Sequence, residues 1–409
     1  MKADAAEDDG ALDTTALADP LGFAPLGQWG GVAVKVIRVF ALAIVSTIVV
    51  AACSTAAFDV PVADENAASR PEPLATSTST PTPIPAPSPT PLYSKLRVFV
   101  ASESTDQVWV LDGKPGEPYA LIAKIAVGKL PHQIGVSPDG KWVAVNNRMG
   151  NTTSIIDPLS MREVIRLMVG KQPHGIVWSP DGRTLFVGHE HDTYIARFEA
   201  GTWKPLPPLM VGVPQHVLTI APSRPNELWF TLTNTTEADV LRVYDLETNK
   251  ISRIKVSDVH DAYFTPDESE VWSSSSGFLD KPSDRMVIYD PSTKTVKSEI
   301  HFAGTYPFHT EKVDQDGVYF MADQSLMVIS DHLGPGLLWI DWKERRVLSE
   351  TKLGKQPFHT TYDPEGDRLL TTTNVDGMVN VIDVKTRAVV QKLAVPKAHG
   401  IGAVGIAGP

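Results

Sequence analysis

Seven of the chain's 11 histidines recur at a near-constant interval: His132, His174, His216, His260, His309, His359 and His399, spaced 42, 42, 44, 49, 50 and 40 residues apart. A neutral imidazole presents one ring nitrogen as a lone pair, and such nitrogens suit copper, zinc and iron. Brought to one point, seven imidazoles would make a cradle for transition metal. Copper is the first expectation, because it outcompetes other first-row divalent ions at nitrogen sites, with zinc or a haem iron as the other occupants. Protonated, the same set would instead hold an anion. Cys53 is the single cysteine, so neither a disulfide nor a thiolate cluster competes with this reading.

The histidines belong to a repeat. The stretch Val127-Gly128-Lys129-Leu130-Pro131-His132, followed by Ser137-Pro138-Asp139-Gly140, recurs as Val169-Gly170-Lys171-Gln172-Pro173-His174 with Ser179-Pro180-Asp181-Gly182. Weaker copies run from Val211-Gly212 to His216, from Gly304 to His309, and from Gly354 to His359 with Asp363-Pro364-Glu365-Gly366. Between them lie short runs rich in Val, Ile, Thr and aromatics, bounded by turn residues, which read as strands. Four strands in a period of roughly 40 to 50 residues make one propeller blade. Each Ser-Pro-Asp-Gly reads as the turn from first to second strand, Pro setting φ and Gly accepting positive φ, in preference to a metal role for its aspartate. These pieces, together with Ile-Asp endings of third strands at Ile156-Asp157 and Ile382-Asp383, resemble the YVTN family of extracytoplasmic β-propellers. The resemblance runs from Leu96 to the end and implies an all-β propeller outside the cytoplasm.

Closure follows from the two ends. His399 to Ile406 supplies a first strand and no more, whereas Leu96–Ala101, Gln107–Leu111 and Tyr119–Val127 supply three strands lacking a first. Joined one plus three, they complete a seventh blade and leave no open edge. A seven-bladed β-propeller is therefore expected over residues 94–409. First strands line a propeller's channel, so the seven histidines would ring its axis. Strand alternation gives His132, Ile134 and Val136 one parity, and the imidazoles either face the axis or pack between blades. Persistence of the histidine at Val259-His260-Asp261, where the surrounding motif has decayed, favours ligands. His189 and His191, in Gly188-His189-Glu190-His191-Asp192, and His332 fall in loops after second strands and could crown the ring as accessory groups. Asp261, Glu311 and Lys312 adjoin ring histidines and suit ligand orientation or proton transfer. His301 reads as a surface residue.

Upstream, Lys35 and Arg38 precede an apolar run from Val39 to Ala52 that ends in Val50-Ala51-Ala52-Cys53. The run is short for a bilayer span and has a signal-peptide layout; its ending resembles the lipobox of bacterial lipoproteins, which implies acylation of Cys53 and a mature chain anchored to the cell membrane from there. Residues 1–52 are thus an acidic head plus signal peptide. Because an acidic head is foreign to such a peptide, translation is expected to start near Val32 or Val34. Residues 53–93 read as lipid anchor and Pro/Ser/Thr-rich linker, extended and disordered. A net charge of −11 with no basic stripe excludes a nucleic-acid partner.

Three function classes remain: a copper-dependent oxidoreductase or metal-binding lipoprotein, a cofactor-free scaffold for a protein or glycan, and a propeller lyase or lactonase. The last would want axial carboxylates where this repeat supplies histidine. An axial histidine site is similar in architecture to the copper propellers of nitrous oxide reductase and thiocyanate dehydrogenase. No cupredoxin domain accompanies it, so redox work would need an external electron carrier. The chain is expected to act as a monomer.

Overall fold

The computed structural model describes residues 93–407 apart from 233–239, 257–258, 275–284, 302–314, 322–324, 332–333 and 335. The signal segment, Cys53 and the linker lie outside the described residues. The described chain forms seven four-stranded antiparallel sheets, a seven-bladed β-propeller. Among the described residues the one helical element is a 3₁₀ turn, Arg148–Gly150, and none is long and apolar enough to cross a membrane.

Blade 1 is the composite one. Its inner strand is Ala398–Ile406, paired with Lys95–Ser102, which is followed by Gln107–Gly113 and Ala120–Ala126. The register runs from Lys95 opposite Ile406 to Ser102 opposite Ala398. Blades 2 to 7 follow in chain order with inner strands Pro131–Val136, Pro173–Trp178, Gln215–Thr219, Ala262–Phe264, Gln315–Phe320 and Pro357–Asp363. The closure is pinned by a buried carboxylate: Asp363 of blade 7 accepts bonds from the hydroxyls of Tyr93 and Tyr119, which flank the blade 1 strands.

Why these residues turn where they do is local chemistry. In Ser137-Pro138-Asp139-Gly140 the Ser137 hydroxyl donates to Asp139 at 2.7 Å, and the Gly140 N–H donates to the Ser137 carbonyl at 2.8 Å with Gly140 at φ +67°. Ser179, Asp181 and Gly182 repeat the arrangement, as does the decayed copy Thr265-Pro266-Asp267-Glu268. Aspartates that end third strands, Asp157, Asp245, Asp290 and Asp341, each accept backbone N–H groups two and three residues on, closing the hairpin to the outer strand. Apolar side chains of adjacent blades interlock; Phe99, Val110 and Val404 of blade 1 pack with Val143 and Val145 of blade 2. Each fully buried side chain of this size stabilises the fold by about 1.5–3 kcal/mol, which holds the inner strands rigidly around the axis.

Candidate functional site

The inner strands bring the histidines together through a repeated β-bulge. In blade 2, Pro131 faces Asn147 and Ile134 faces Val145, so His132 and Gln133 together oppose one partner residue. The same slip lies at His174-Gly175 in blade 3, His216-Val217 in blade 4 and His399-Gly400 in blade 1. In blade 5, His260 and Asp261 both bond Ser274 through the backbone. A bulge breaks strict alternation and re-aims a side chain, so His132 and Ile134 no longer share a face by parity. Glycine follows two of the histidines because the neighbouring strand is close: a Cβ on Gly400 would lie 2.2 Å from the His132 carbonyl oxygen, and one on Gly175 2.6 Å from that of His216.

The result is a contiguous arc of rings. Centroid separations run His260–His216 4.2 Å, His216–His174 3.8 Å, His174–His132 4.9 Å and His132–His399 3.7 Å, the second and fourth being stacked. All five side chains are buried. Blade 7 departs from the expected pattern. Pro357 faces Thr373 and Thr360 faces Thr371, so Phe358, not His359, occupies the ring position, and Phe358 continues the arc at 4.1 Å from His399. His359 stands one residue further along, 5.0 Å from His399, where its Nε2 accepts from the Gln133 amide at 3.0 Å. His309 lies outside the described residues, as do Glu311, Lys312 and His332; Pro307-Phe308-His309 repeats the residue order of Pro357-Phe358-His359. Beyond the arc lies an axial cavity of about 180 Å³ to which all seven inner strands contribute, Gln133, His174, Tyr263 and His359 among its lining.

Two carboxylates join the arc that spacing did not single out. The residue just after the second strand is Glu103 in blade 1, Arg148 in blade 2, Glu190 in blade 3 and Asn374 in blade 7. Each donates its backbone N–H to the carbonyl of a left-handed residue just ahead of the inner strand: Lys397, Leu130, Gln172 and Gln356 respectively. That bond seats the four side chains beside the rings. Glu103 Oε1 is 2.6 Å from His132 Nδ1 and its Oε2 accepts from Asn374 at 2.9 Å. Glu190 Oε1 is 3.8 Å from His216 Nε2 and its Oε2 accepts from Arg148 Nε at 2.6 Å. Asp261 Oδ1 lies 3.0 Å from His260 Nδ1. Three sets therefore present ligand atoms all within 4.8 Å of one another: Glu103, His132, His399; His174, Glu190, His216; and His216, His260, Asp261. Asp261 was legible as the neighbour of His260, whereas Glu103 and Glu190 were legible only by their place after second strands, visible once the blades are aligned.

Solved structures share this fold. The periplasmic gluconolactonase PpgL of Pseudomonas aeruginosa superposes with a TM-score of 0.64 at 14% identity, covering 76% of this chain and 100% of that one. The dihydro-heme d1 dehydrogenase NirN in complex with DHE gives 0.56 at 18% identity over 75% and 74% of the two chains, and hydrazine synthase of Kuenenia stuttgartiensis 0.54 at 16% over 62% and 77%. No family model and no curated protein matches the chain. At these identities the likeness is one of fold, and sites must be argued from their own residues.

Electrostatically the arc favours neutral imidazole at His174. Burial pushes His174 well below the ordinary histidine range, and repulsion from His132, Arg148 and His260 adds to it, against a bond to the His216 carbonyl. That bond, 3.0 Å from His174 Nδ1, fixes the tautomer and leaves Nε2 as a lone pair, as in metal-bound histidines. Burial raises the Glu103 carboxyl, opposed by the Asn374 bond and the cations Arg148 and Lys397. Of the accessory histidines, His189 is fully buried with both nitrogens used: one bonds the Tyr194 carbonyl at 2.9 Å, and the other accepts from the Gly170 N–H at 2.9 Å. It braces the loop and has no lone pair for a ligand. His191 is exposed on that loop, and His301 is exposed at the end of the outer strand Thr295–His301.

Proposed function

We propose that this protein is an extracytoplasmic, lipid-anchored propeller that binds transition metal, copper first, on its axis and uses it for redox chemistry with an external electron carrier. One observation carries the reading: an arc of five buried imidazoles, His132, His174, His216, His260 and His399, stands within ligand distance of Glu103, Glu190 and Asp261 at the head of the axial cavity, with His359 beside it. Mixed imidazole and carboxylate donors suit copper and zinc, and a haem iron would draw on the same imidazoles. The buried, neutral state of His174 supports it, because a ligand must be deprotonated. Residues 1–52 would direct export, Cys53 would carry the lipid, and residues 53–93 would hold the propeller off the membrane. Elemental analysis of protein loaded with copper and dialysed, with X-ray absorption to identify nitrogen ligands, tests the metal. Protein that stays metal-free after copper and zinc loading, or a His132→Ala/His174→Ala/His359→Ala triple variant that keeps full occupancy, would leave a cofactor-free scaffold as the better description. Cys53→Ala tests the anchor: the variant should leave the membrane fraction or fail to mature, and a membrane-bound variant of unchanged mass would refute acylation.

A further inference from the structure

The arc is built from one unit used twice, and we infer that it takes two metal ions, one in each of two equivalent His₂-Glu cells. This rests on the metal-binding reading above. The first cell is His399, Glu103 and His132; the second is His174, Glu190 and His216. Each consists of the inner-strand histidine of one blade, the carboxylate that ends that blade's second strand, and the inner-strand histidine of the following blade. In each, the two rings are stacked, at 3.7 Å in the first and 3.8 Å in the second. Between the cells the His132 and His174 rings are tilted and further apart, at 4.9 Å.

The carboxylates are aimed alike. Glu103 Oε2 is held by Asn374, the residue at the same position of the preceding blade; Glu190 Oε2 is held by Arg148, again the residue at that position one blade back. In both, Oε1 is the oxygen left toward a histidine of its cell, 2.6 Å from His132 and 3.8 Å from His216. A two-blade step around the ring therefore relates the cells residue by residue, although the ring nitrogen nearest the carboxylate is Nδ1 in the first and Nε2 in the second. Arg148 occupies the carboxylate position of the blade between them, so a third cell at His132 and His174 meets a cation where it needs an anion. The remaining group, His260 with Asp261, abuts the second cell through His216 and extends it: its carboxylate stands just ahead of the inner strand Ala262–Phe264, not at a second-strand end. The cells differ in charge, since a neutral amide supports Glu103 and a guanidinium supports Glu190.

The test is copper(II) titration of chelator-treated, full-length protein, read by bound copper per chain after dialysis and by electron paramagnetic resonance. Two ions per chain are expected, one lost in Glu103→Gln and the other in Glu190→Gln. Gln keeps the side chain's size and one oxygen acceptor, and circular dichroism with thermal melting checks that each variant folds. With two Cu(II) spins so near, the wild-type spectrum is dipolar-broadened, and each single variant regains the narrow spectrum of an isolated ion. One or three ions in the wild type, or loss of the same ion in both variants, overturns the two-cell arrangement while leaving metal binding intact. No bound copper overturns the metal-binding reading itself.

Discussion

Replacing Asp363 with Ala should cost this propeller a large part of its stability, because one buried carboxylate ties the composite blade to its neighbour. Asp363 is fully buried, and Tyr93 and Tyr119 are nearly so. Its oxygens accept from both tyrosine hydroxyls, the Tyr119 bond being 2.6 Å, and from the Gly366 N–H at 2.9 Å. Burial, reinforced by these bonds, pushes both phenols far above the ordinary tyrosine range, so they remain donors at any working pH. Removal of the carboxylate strands three buried donors at about 1–3 kcal/mol each. A loss of about 3–9 kcal/mol is expected, set against a total that for most domains is about 5–15 kcal/mol. Asp363→Asn keeps one acceptor oxygen and should cost about 1–2 kcal/mol by the same reasoning. Urea unfolding at pH 7.5, followed by tryptophan fluorescence and circular dichroism, measures both. A cycle with Tyr119→Phe isolates the pair, where a coupling of about 1.5–3 kcal/mol is expected for a bond to a charged group. If Asp363→Ala loses less than about 1 kcal/mol at an unchanged denaturant slope, water reaches these hydroxyls in the folded state and the carboxylate does not hold the closure.

Three further outcomes follow from the same structure. Deleting residues 398–409 removes the inner strand of blade 1 and exposes the edge at Lys95–Ser102; aggregation or loss of the cooperative melt is expected, and an unaltered melting curve would contradict the closure. Gly400→Ala forces a methyl onto the His132 carbonyl, 2.2 Å away, and should destabilise by about 2 kcal/mol or more; a neutral result by urea unfolding would mean that the two inner strands are not so close. Metal-free protein should weaken as pH falls below about 6.5. His174, held low chiefly by burial, is neutral when folded and protonates in the unfolded chain, so the unfolded state binds the extra proton and each pH unit costs about 1.4 kcal/mol until the folded value is reached. His189 acts in the same sense, and the raised Glu103 opposes both only nearer the carboxylate range. Urea midpoints that stay level from pH 7.5 to 5.5 would refute this.

Blade number, the one-plus-three closure and the turns were legible in the chain because each depends on local residues repeated at a fixed period: Ser-Pro-Asp-Gly makes its own turn, and a terminal strand without partners must find them. The histidines were legible as a periodic set, but not their parity, because Pro131 to Ile134 reads as plain alternation until the pairing with Asn147 and Val145 reveals the bulge. His359 looked equivalent to His174 as the histidine of its copy, although Gly354-Lys355-Gln356-Pro357 repeats Gly170-Lys171-Gln172-Pro173 and so sets Phe358 at the histidine's place, where the strand register also puts it. Glu103 and Glu190 precede or follow the nearest ring histidine by 29 and 16 residues; nothing near Glu103 marks it, and at Glu190 the flanking His189 and His191 were the residues that stood out, not the carboxylate between them. Only packing decides them: a backbone bond to a left-handed residue seats each at a second-strand end, and the antiparallel sheet turns that end back beside the start of the inner strand. Local chemistry thus determines which residues recur, and the closed ring, by fixing register and distance, decides which of them meet.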